Sequence, residues 1–367
     1  MITITEPVCI DADPILPEGL SASDCIFFDI ETTGLSADTS SLYLISVLTF
    51  SANVWTLHQW FADDYDSEPQ ILTVFGEMLK GAKAVVQYNG DTFDVPYLEA
   101  KWRAHHMPYS FSGIVLWDIY RKIRPFSFLL KTPNLKLKTM EELLGIYRKD
   151  PYNGGELITV YGTFLRAHYC NKPTEEFLAP LLLHNREDVL SLPALTTLIG
   201  YASLQDGTHR VANVSATDTQ LVLTLNLSHT LPQNFTFRGD HCFFEGTQDQ
   251  LQIRVDYLEE ELKYFFPDYK DYYYLPVEDT AVHKSVGEFV DKEYRQKATA
   301  ATCYIRKAGR FLPVDETFAT QTRRLFRRDY KSKEHYLLWE DTLLEDADFL
   351  HAYASALLAK IKKPGKK

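Results

Sequence analysis

The 367-residue chain is short of cysteine patterning, of positive charge and of long apolar runs, and each shortage excludes something. Its five cysteines, Cys9, Cys25, Cys170, Cys242 and Cys303, are scattered, with no C-x-x-C pair. That argues against both a zinc site and a disulfide framework, and it suits a reducing, cytoplasmic setting. No stretch approaches the ~20 apolar residues that span a bilayer, so no membrane segment is expected. The start, Met1-Ile2-Thr3-Ile4-Thr5-Glu6-Pro7, has no basic n-region followed by an apolar h-region, so no secretory signal is visible. With 38 Lys+Arg against 50 Asp+Glu the net charge is −12, whereas proteins that coat duplex DNA are more often basic. Residues 301–367 run the other way, with 14 Lys+Arg against 9 Asp+Glu. A footprint for a polyanion would fall in that C-terminal part. There is no internal repeat and no low-complexity tract.

What is present suits a globular chain of about two domains: 45% hydrophobic residues, 24% charged, 22 Tyr and 22 Phe. Residues 1–22 form a Pro-containing lead-in without an assignable role. Ile26 to Glu31 reads as a strand, and Leu42–Phe50 with Val54–Phe61 as a hairpin. Pro69–Lys80 has helical periodicity, Ala84–Tyr88 is a short buried strand, and Thr92–Ala104 is a helix. Ile114–Leu130 reads as helical in its later part, and Leu135–Leu144 as a helix stopped by Gly145. Gly155–Tyr169 and Thr174–Tyr201 are helical, with Pro180 and Pro193 forcing a start, break or kink. The order predicts an α/β layer architecture.

Composition shifts near Gln205-Asp206-Gly207. Beyond it, Thr219–Leu227, Phe235–Phe244 and Gln250–Val255 are strand-like, and Pro267–Leu275 is an aromatic loop. Thr280–Arg295 reads as a helix with Val282, Val286, Phe289 and Val290 on its apolar side. Ala301–Pro313 reads as a hairpin turning at Ala308-Gly309, and Leu344–Ile361 as a last helix. This predicts a smaller α+β accessory domain over 208–361 and a basic tail over 362–367. Phe265 to Leu275 offers either a base-stacking platform or rings packed on a core. Arg323, Arg324, Arg327 and Arg328, with Lys331 and Lys333, form either a phosphate-steering patch or a solvated face.

The chemistry converges on three segments. In Asp29-Ile30-Glu31, strand alternation puts both carboxylates on one face and Ile30 in a core. Such a pair is costly to desolvate and self-repelling, and a divalent cation relieves both; the plain alternative is an acidic strand end. Asp94 follows the turn Asn89-Gly90-Asp91 at the start of a helix, where simple capping also accounts for it. His184 and Asp188, four apart, share a helix face with Leu192 and Leu195, while Arg186 and Glu187 point elsewhere, toward solvent.

Asp-x-Glu, then Asn-x-x-x-Phe-Asp at a strand–helix junction, then His-x-x-x-Asp on a late helix occur in the order of the DEDD exonucleases. Over residues 23–203 the chain resembles that superfamily, also called DnaQ-like, on a ribonuclease-H-like fold. Within it the chain is similar to the YprB-type family, through Tyr88-Asn89-Gly90 before Phe93-Asp94, Leu135 to Glu141, Gly154-Gly155-Glu156 and His184 to Leu192. The resemblance implies a ribonuclease-H-like mixed sheet, three antiparallel strands plus parallel ones, flanked by helices. It implies that Asp29, Glu31, Asp94 and Asp188 bind two divalent ions, Mg²⁺ or Mn²⁺, with Asp29 between them. It also implies that His184 is a general base or water-orienting group. The expected reaction is 3′–5′ exonucleolytic hydrolysis of single-stranded DNA or RNA from the 3′ end. Thr32, Thr33, Leu35, Asn89 and Phe93 would meet the terminal nucleotide, and Lys136, Lys138 and Arg148 would meet phosphates or stay solvated. One departure stands out. The superfamily divides by a His five residues before the last Asp or a Tyr four before. Here Leu183 holds the first position and His184 the second, so His184 is also readable as a partner that orients Asp188. A non-catalytic nucleic-acid-binding or adaptor module on the same fold is the competing reading. A polymerase proofreading part is disfavoured, since about 160 residues are too few for a polymerase domain.

Overall fold

The computed structural model describes residues 1–320 and 323–361; the expected basic tail at 362–367 lies outside them. The chain divides into two compact units: residues 1–203 with His229–Gln233, and residues 204–228 with 234–361.

The first unit is built on a six-stranded mixed sheet in the order β1-β4-β3-β2-β5-β6. Its strands are β1 (Ile2–Val8), β2 (Cys25–Thr32), β3 (Leu42–Ser51), β4 (Val54–Phe61), β5 (Ala84–Gln87) and β6 (Val115–Asp118). β2, β3 and β4 are antiparallel neighbours, while β5 and β6 run parallel to β2. The lead-in has a structural role after all. β1 pairs antiparallel with β4 from Ile2 opposite Phe61 to Val8 opposite Trp55, so Pro7 sits on an edge strand, where a missing N–H is tolerated. The start of the 114–130 segment is strand rather than coil, because Val115 to Asp118 fit beside β5. It continues as three short turns of helix: α3 (Ile119–Ile123), a 3₁₀ turn at Arg124–Phe126 and α4 (Ser127–Leu130).

The longer helices are α1 (Glu68–Leu79) and α2 (Asp94–Ala104), then α5 (Leu137–Leu143), α6 (Gly154–Tyr169) and α7 (Glu175–Leu195). α7 runs through both Pro180 and Pro193 and packs across β2 and β3. Ile26, Phe28 and Ile30 of β2 enter a core with Phe75, Trp102 and Phe111. The other face of β2 carries Asp29 and Glu31 toward α7. Segment 229–233 returns to this unit: Tyr201 Oη donates to the Gln233 carbonyl at 2.8 Å, and Gln233 Nε2 donates to the Leu143 carbonyl at 2.8 Å.

A buried ion pair pins the loop that follows β2. Lys101 Nζ on α2 lies 2.9 Å from Glu68 Oε1 on α1, with both side chains about nine-tenths buried. Lys101 also donates to the Ser40 carbonyl, and Glu68 Oε1 accepts the Leu42 N–H at 2.6 Å.

In the second unit, five antiparallel strands follow the order Arg210–Ala216, Gln220–Asn226, Gln250–Asp256, Cys242–Thr247, Phe235–Arg238. A four-stranded and a three-stranded sheet follow, then helix Ala347–Leu358, capped by Asp346. Two expectations fail here. Thr280–Arg295 is a strand, Thr280–His283, and a single helical turn, Lys284–Gly287; Val286 and Phe289 are exposed rather than lining an apolar face. The short strand wins because Tyr272–Leu275 pairs with it along its length. Ala301–Pro313 is no hairpin: Tyr304–Val314 is one strand between Leu258–Phe265 and His335–Leu338. Gly309 serves close packing there, since a Cβ would come within 2.9 Å of Leu338 Cδ1. The aromatic loop is partly strand, and its rings pack: Tyr272 stacks on Phe266 at 4.5 Å, and Tyr274 Oη donates to Asp279. The arginine patch is largely engaged internally. Arg323 pairs with Asp346 and Arg328 with Glu260 and Glu334, while Arg324 and Arg327 lie over aromatic rings.

Glu68→Ala leaves the Lys101 ammonium buried without its counter-charge. The expected loss is roughly 3–5 kcal/mol in urea unfolding. A loss below about 1 kcal/mol, the value of an exposed pair, would contradict the pair's buried character.

Candidate active site

β2 delivers its two carboxylates into the space under α7, and α7 answers with three polar residues. Asn185 Nδ2 donates to Asp29 Oδ2 at 2.6 Å. His184 Nε2 lies 3.6 Å from Glu31 Oε1 and 3.4 Å from Asp188 Oδ2. Single ligating atoms of Glu31, His184 and Asp188 all lie within 4.8 Å of one another, and all three residues are buried. From β3, Tyr43 Oη donates to Glu31 Oε2 at 3.4 Å, its ring stacked on Tyr161 of α6 at 4.3 Å. The opposite edge of the histidine is held as well: Nδ1 lies 2.6 Å from Asp150 Oδ2. This shorter contact favours the proton on Nδ1, with Nε2 facing Glu31 and Asp188.

Asp94 arrives from the β5–α2 junction. Asn89 takes the left-handed conformation, φ 65°, which asparagine tolerates, and reverses the chain after β5. Asp118 at the end of β6 accepts the N–H groups of Asn89 at 3.0 Å and Asp91 at 3.2 Å, and Gln87 Oε1 accepts that of Gly90 at 2.8 Å. So fixed, the turn starts α2 at Asp94, whose carboxylate is buried and accepts its own N–H and that of Ile30.

The four carboxylates feel one another. Burial, then the charges of Asp188 and Asp94, push Asp29 and Glu31 well above the usual carboxylate range. Burial pushes Asp94 up to about 7 despite its backbone hydrogen bonds, with Asp118 and Asp188 adding to the rise. Oxygen donors with one imidazole are the set that hard divalent cations take, and uncompensated buried negative charge is what such a cation would offset.

The sequence matches the RNase_H_2 profile of the RNase H superfamily over residues 26–239, more than half of the chain. The chain belongs to the ribonuclease H superfamily. A comparison with curated proteins returns no match. Among solved structures, a zinc-bound complex of E. coli ExoI with single-stranded DNA is 15% identical, with TM-score 0.30, covering 44% of this chain and 43% of that one. An ExoI/SSB-Ct complex is 12% identical, with TM-score 0.30 and coverage of 61% and 55%. E. coli Exonuclease I with a dT13 oligonucleotide is 10% identical, with TM-score 0.30 and coverage of 94% and 75%. The chain thus spans about half the length of the first two.

In this member of the ribonuclease H superfamily, the remaining expected residues fall around the strand ends. Thr32 Oγ1 donates to the Gly34 carbonyl at 2.8 Å, and Thr33 Oγ1 accepts the Ser41 N–H at 2.8 Å, so both hydroxyls shape the loop. Leu35 at its tip is 87% exposed. Phe93 is half-buried beside Tyr97, and Asn89 is exposed. Three expectations change. Arg148 is not solvated: its guanidinium is buried, donating to Glu141 and pairing with Asp188. Lys138 is tied to Asp150. Glu187 and Arg186 are not simply solvated either: Glu187 accepts the N–H groups of Lys149 and Asp150, each at 3.0 Å, and Arg186 pairs with Glu6 at 2.8 Å. Asp150, Asn185 and Tyr43 went unread as site residues. Asn185 directly follows His184 on the same helix, whereas Asp150 sits in a Lys-Asp-Pro loop with no periodic signal.

The charge cluster makes a pH prediction. Folded Asp94 keeps its proton up to about pH 7, whereas the unfolded chain loses it near 3.8. Between those values the folded state holds the extra proton, so metal-free stability falls as pH rises through that window. Asp94→Asn removes this loss. In EDTA at pH 8 its Tm should exceed that of the wild type by about 2–4 °C for each ~1 kcal/mol recovered, with the gap shrinking toward pH 5. A lower Tm at pH 8 would contradict the assignment.

Proposed function

We propose that this chain is a metal-dependent nuclease of the DEDD (DnaQ-like) kind, of the YprB type, that removes nucleotides from the 3′ end of single-stranded DNA or RNA. The observation that carries the reading is the set of four mutually repelling carboxylates, from β2, α2 and α7, beside a histidine whose Nδ1 is held by Asp150. Asp29, Glu31, Asp94 and Asp188 would hold two Mg²⁺ or Mn²⁺ ions; such ions would supply charge neutralisation at the attacking and leaving oxygens and acidify water.

His184 takes the proton of the attacking water at Nε2. Asp150 keeps the imidazole in the tautomer that can do so, the role a carboxylate plays behind a catalytic histidine. The position of His184, four before Asp188, then matters less than where its Nε2 faces. Asn185 orients Asp29 so that its other carboxylate oxygen is free for a ligand. Leu35, Phe93 and the Thr32-Thr33 backbone border the metal-facing end of β2, and they are assigned to the terminal nucleotide with Asn89. Leu35 and Phe93 supply apolar surface to a base.

The second reading, a non-catalytic nucleic-acid-binding or adaptor module, draws on one observation: the Arg148 guanidinium already sits on Asp188. If that cation replaces a metal ion, the protein binds nucleic acid without cutting it.

Labelled single strands of DNA and RNA, incubated with Mg²⁺, Mn²⁺ or EDTA, separate the two. Metal-dependent shortening from the 3′ end is expected, and Asp29→Asn should lower the rate at least ~10³-fold. An unchanged rate in Asp29→Asn sinks the assignment. His184→Ala should lower kcat by about 10²–10⁴-fold and leave Mn²⁺ affinity intact. Asp150→Asn should lower kcat by about 10–100-fold, as loss of a partner that orients a catalytic group does. Collapse of Mn²⁺ affinity in either variant would make His184 a ligand instead of a base.

A further inference from the structure

Segment 119–140 holds six basic residues, Arg121, Lys122, Arg124, Lys131, Lys136 and Lys138, and no acidic one, in a chain whose net charge is −12. It folds as α3, the turn at Arg124–Phe126, α4, a loop and the start of α5, and all of these but the last wall a groove of about 830 Å³. The groove is lined by Tyr120, Arg121, Arg124, Phe128 and Asn134, among others, so cations, ring surfaces and amide groups share one concavity. Three of the six cations are already engaged: Lys122 lies over Trp117, Lys138 is held by Asp150, and Arg121 pairs with Asp91. Arg124, Lys131 and Lys136 are exposed and form no ion pair among the described residues.

Its position ties it to the carboxylate cluster. β2, β5 and β6 are parallel, so their carboxyl ends share one edge of the sheet, the edge where ligands of open α/β sheets collect. Asp118 ends the last of these strands level with Phe28 of the first, so the neighbouring Asp29 lies about two strand spacings, roughly 10 Å, away. The groove begins at that edge. Arg121 Nη1 lies 2.6 Å from Asp91, three residues before Asp94. The Tyr120 ring stands edge-on to Tyr88 at 5.9 Å, and Tyr88 Oη donates to the Leu135 carbonyl at 2.7 Å. A polyanion brought to four buried carboxylates is repelled there and needs compensating positive charge beside the site.

We propose that this groove carries the phosphodiester backbone of the single strand whose end lies at the Asp29 cluster, with Arg124 on a phosphate and the Tyr120 ring offered to a base. The proposal rests on the nuclease reading for its substrate, but its test is binding, which does not depend on turnover.

Fluorescence anisotropy in EDTA, with no cleavage possible, measures affinity for a labelled single strand of about 20 nucleotides and for a trinucleotide. Wild type should bind the long strand at least tenfold more tightly than the short one. Arg124→Glu should weaken long-strand binding tenfold or more, and Arg124→Ala should reduce the slope of log affinity against log salt by about one unit. Equal long-strand affinity and equal salt slope in wild type and both variants would overturn the groove, as would a wild type that binds neither strand. Cleavage of the same long strand by wild type in Mn²⁺ is scored separately. Cleavage with no effect of the Arg124 variants on binding removes the groove and leaves the nuclease reading. Groove-dependent binding without cleavage does the reverse.

Discussion

Repulsion among buried carboxylates is the constraint on which the first unit turns. Asp29 and Glu31 share a strand face, and Asp94 and Asp188 are brought close enough to raise both. Burying such a group of like charges opposes folding, so the surrounding structure must be rigid enough to hold it. The support is visible around each member: Asn185 on Asp29, Tyr43 on Glu31, the Ile30 N–H on Asp94 and Arg148 on Asp188. A local cost maintained by a packed frame is what a binding site requires, since a structure free to relax would separate the charges.

The frame explains why several elements of this ribonuclease H superfamily member are where they are. The Lys101–Glu68 pair fixes the loop after β2 through Ser40 and Leu42. Asp118 fixes the turn that starts α2 through two backbone N–H groups. Glu187 fixes the loop that carries Asp150, and Asp150 fixes the ring of His184. In each case a carboxylate outside the four holds a segment or side chain that borders them.

How much of this the sequence disclosed depends on periodicity. The mixed sheet, the face shared by Asp29 and Glu31, and the face shared by His184, Asp188, Leu192 and Leu195 follow from local alternation and helical spacing, which survive folding unchanged. β1 was missed because its Thr, Glu and Pro residues resemble a linker until β4 is there to pair with them. Asp150 and Arg148 were missed or misplaced because they lie in the loop between α5 and α6, where partners are chosen by tertiary structure alone. In the second unit, Gly309 looked like a turn, but its lack of a side chain serves the approach of Leu338 instead. Val286 and Phe289 fit a helical stripe by spacing, yet pairing of Thr280–His283 with a neighbouring strand was decisive.

The central claim is that the carboxylate cluster exists to hold divalent cations. Crystals of the wild-type protein soaked in Mn²⁺ and measured for anomalous scattering test it most directly. The account predicts two anomalous peaks coordinated by Asp29, Glu31, Asp94 and Asp188, with the Arg148 guanidinium displaced from at least one Asp188 oxygen. Absence of any peak at the cluster at saturating Mn²⁺, with Arg148 still seated on Asp188, would contradict it.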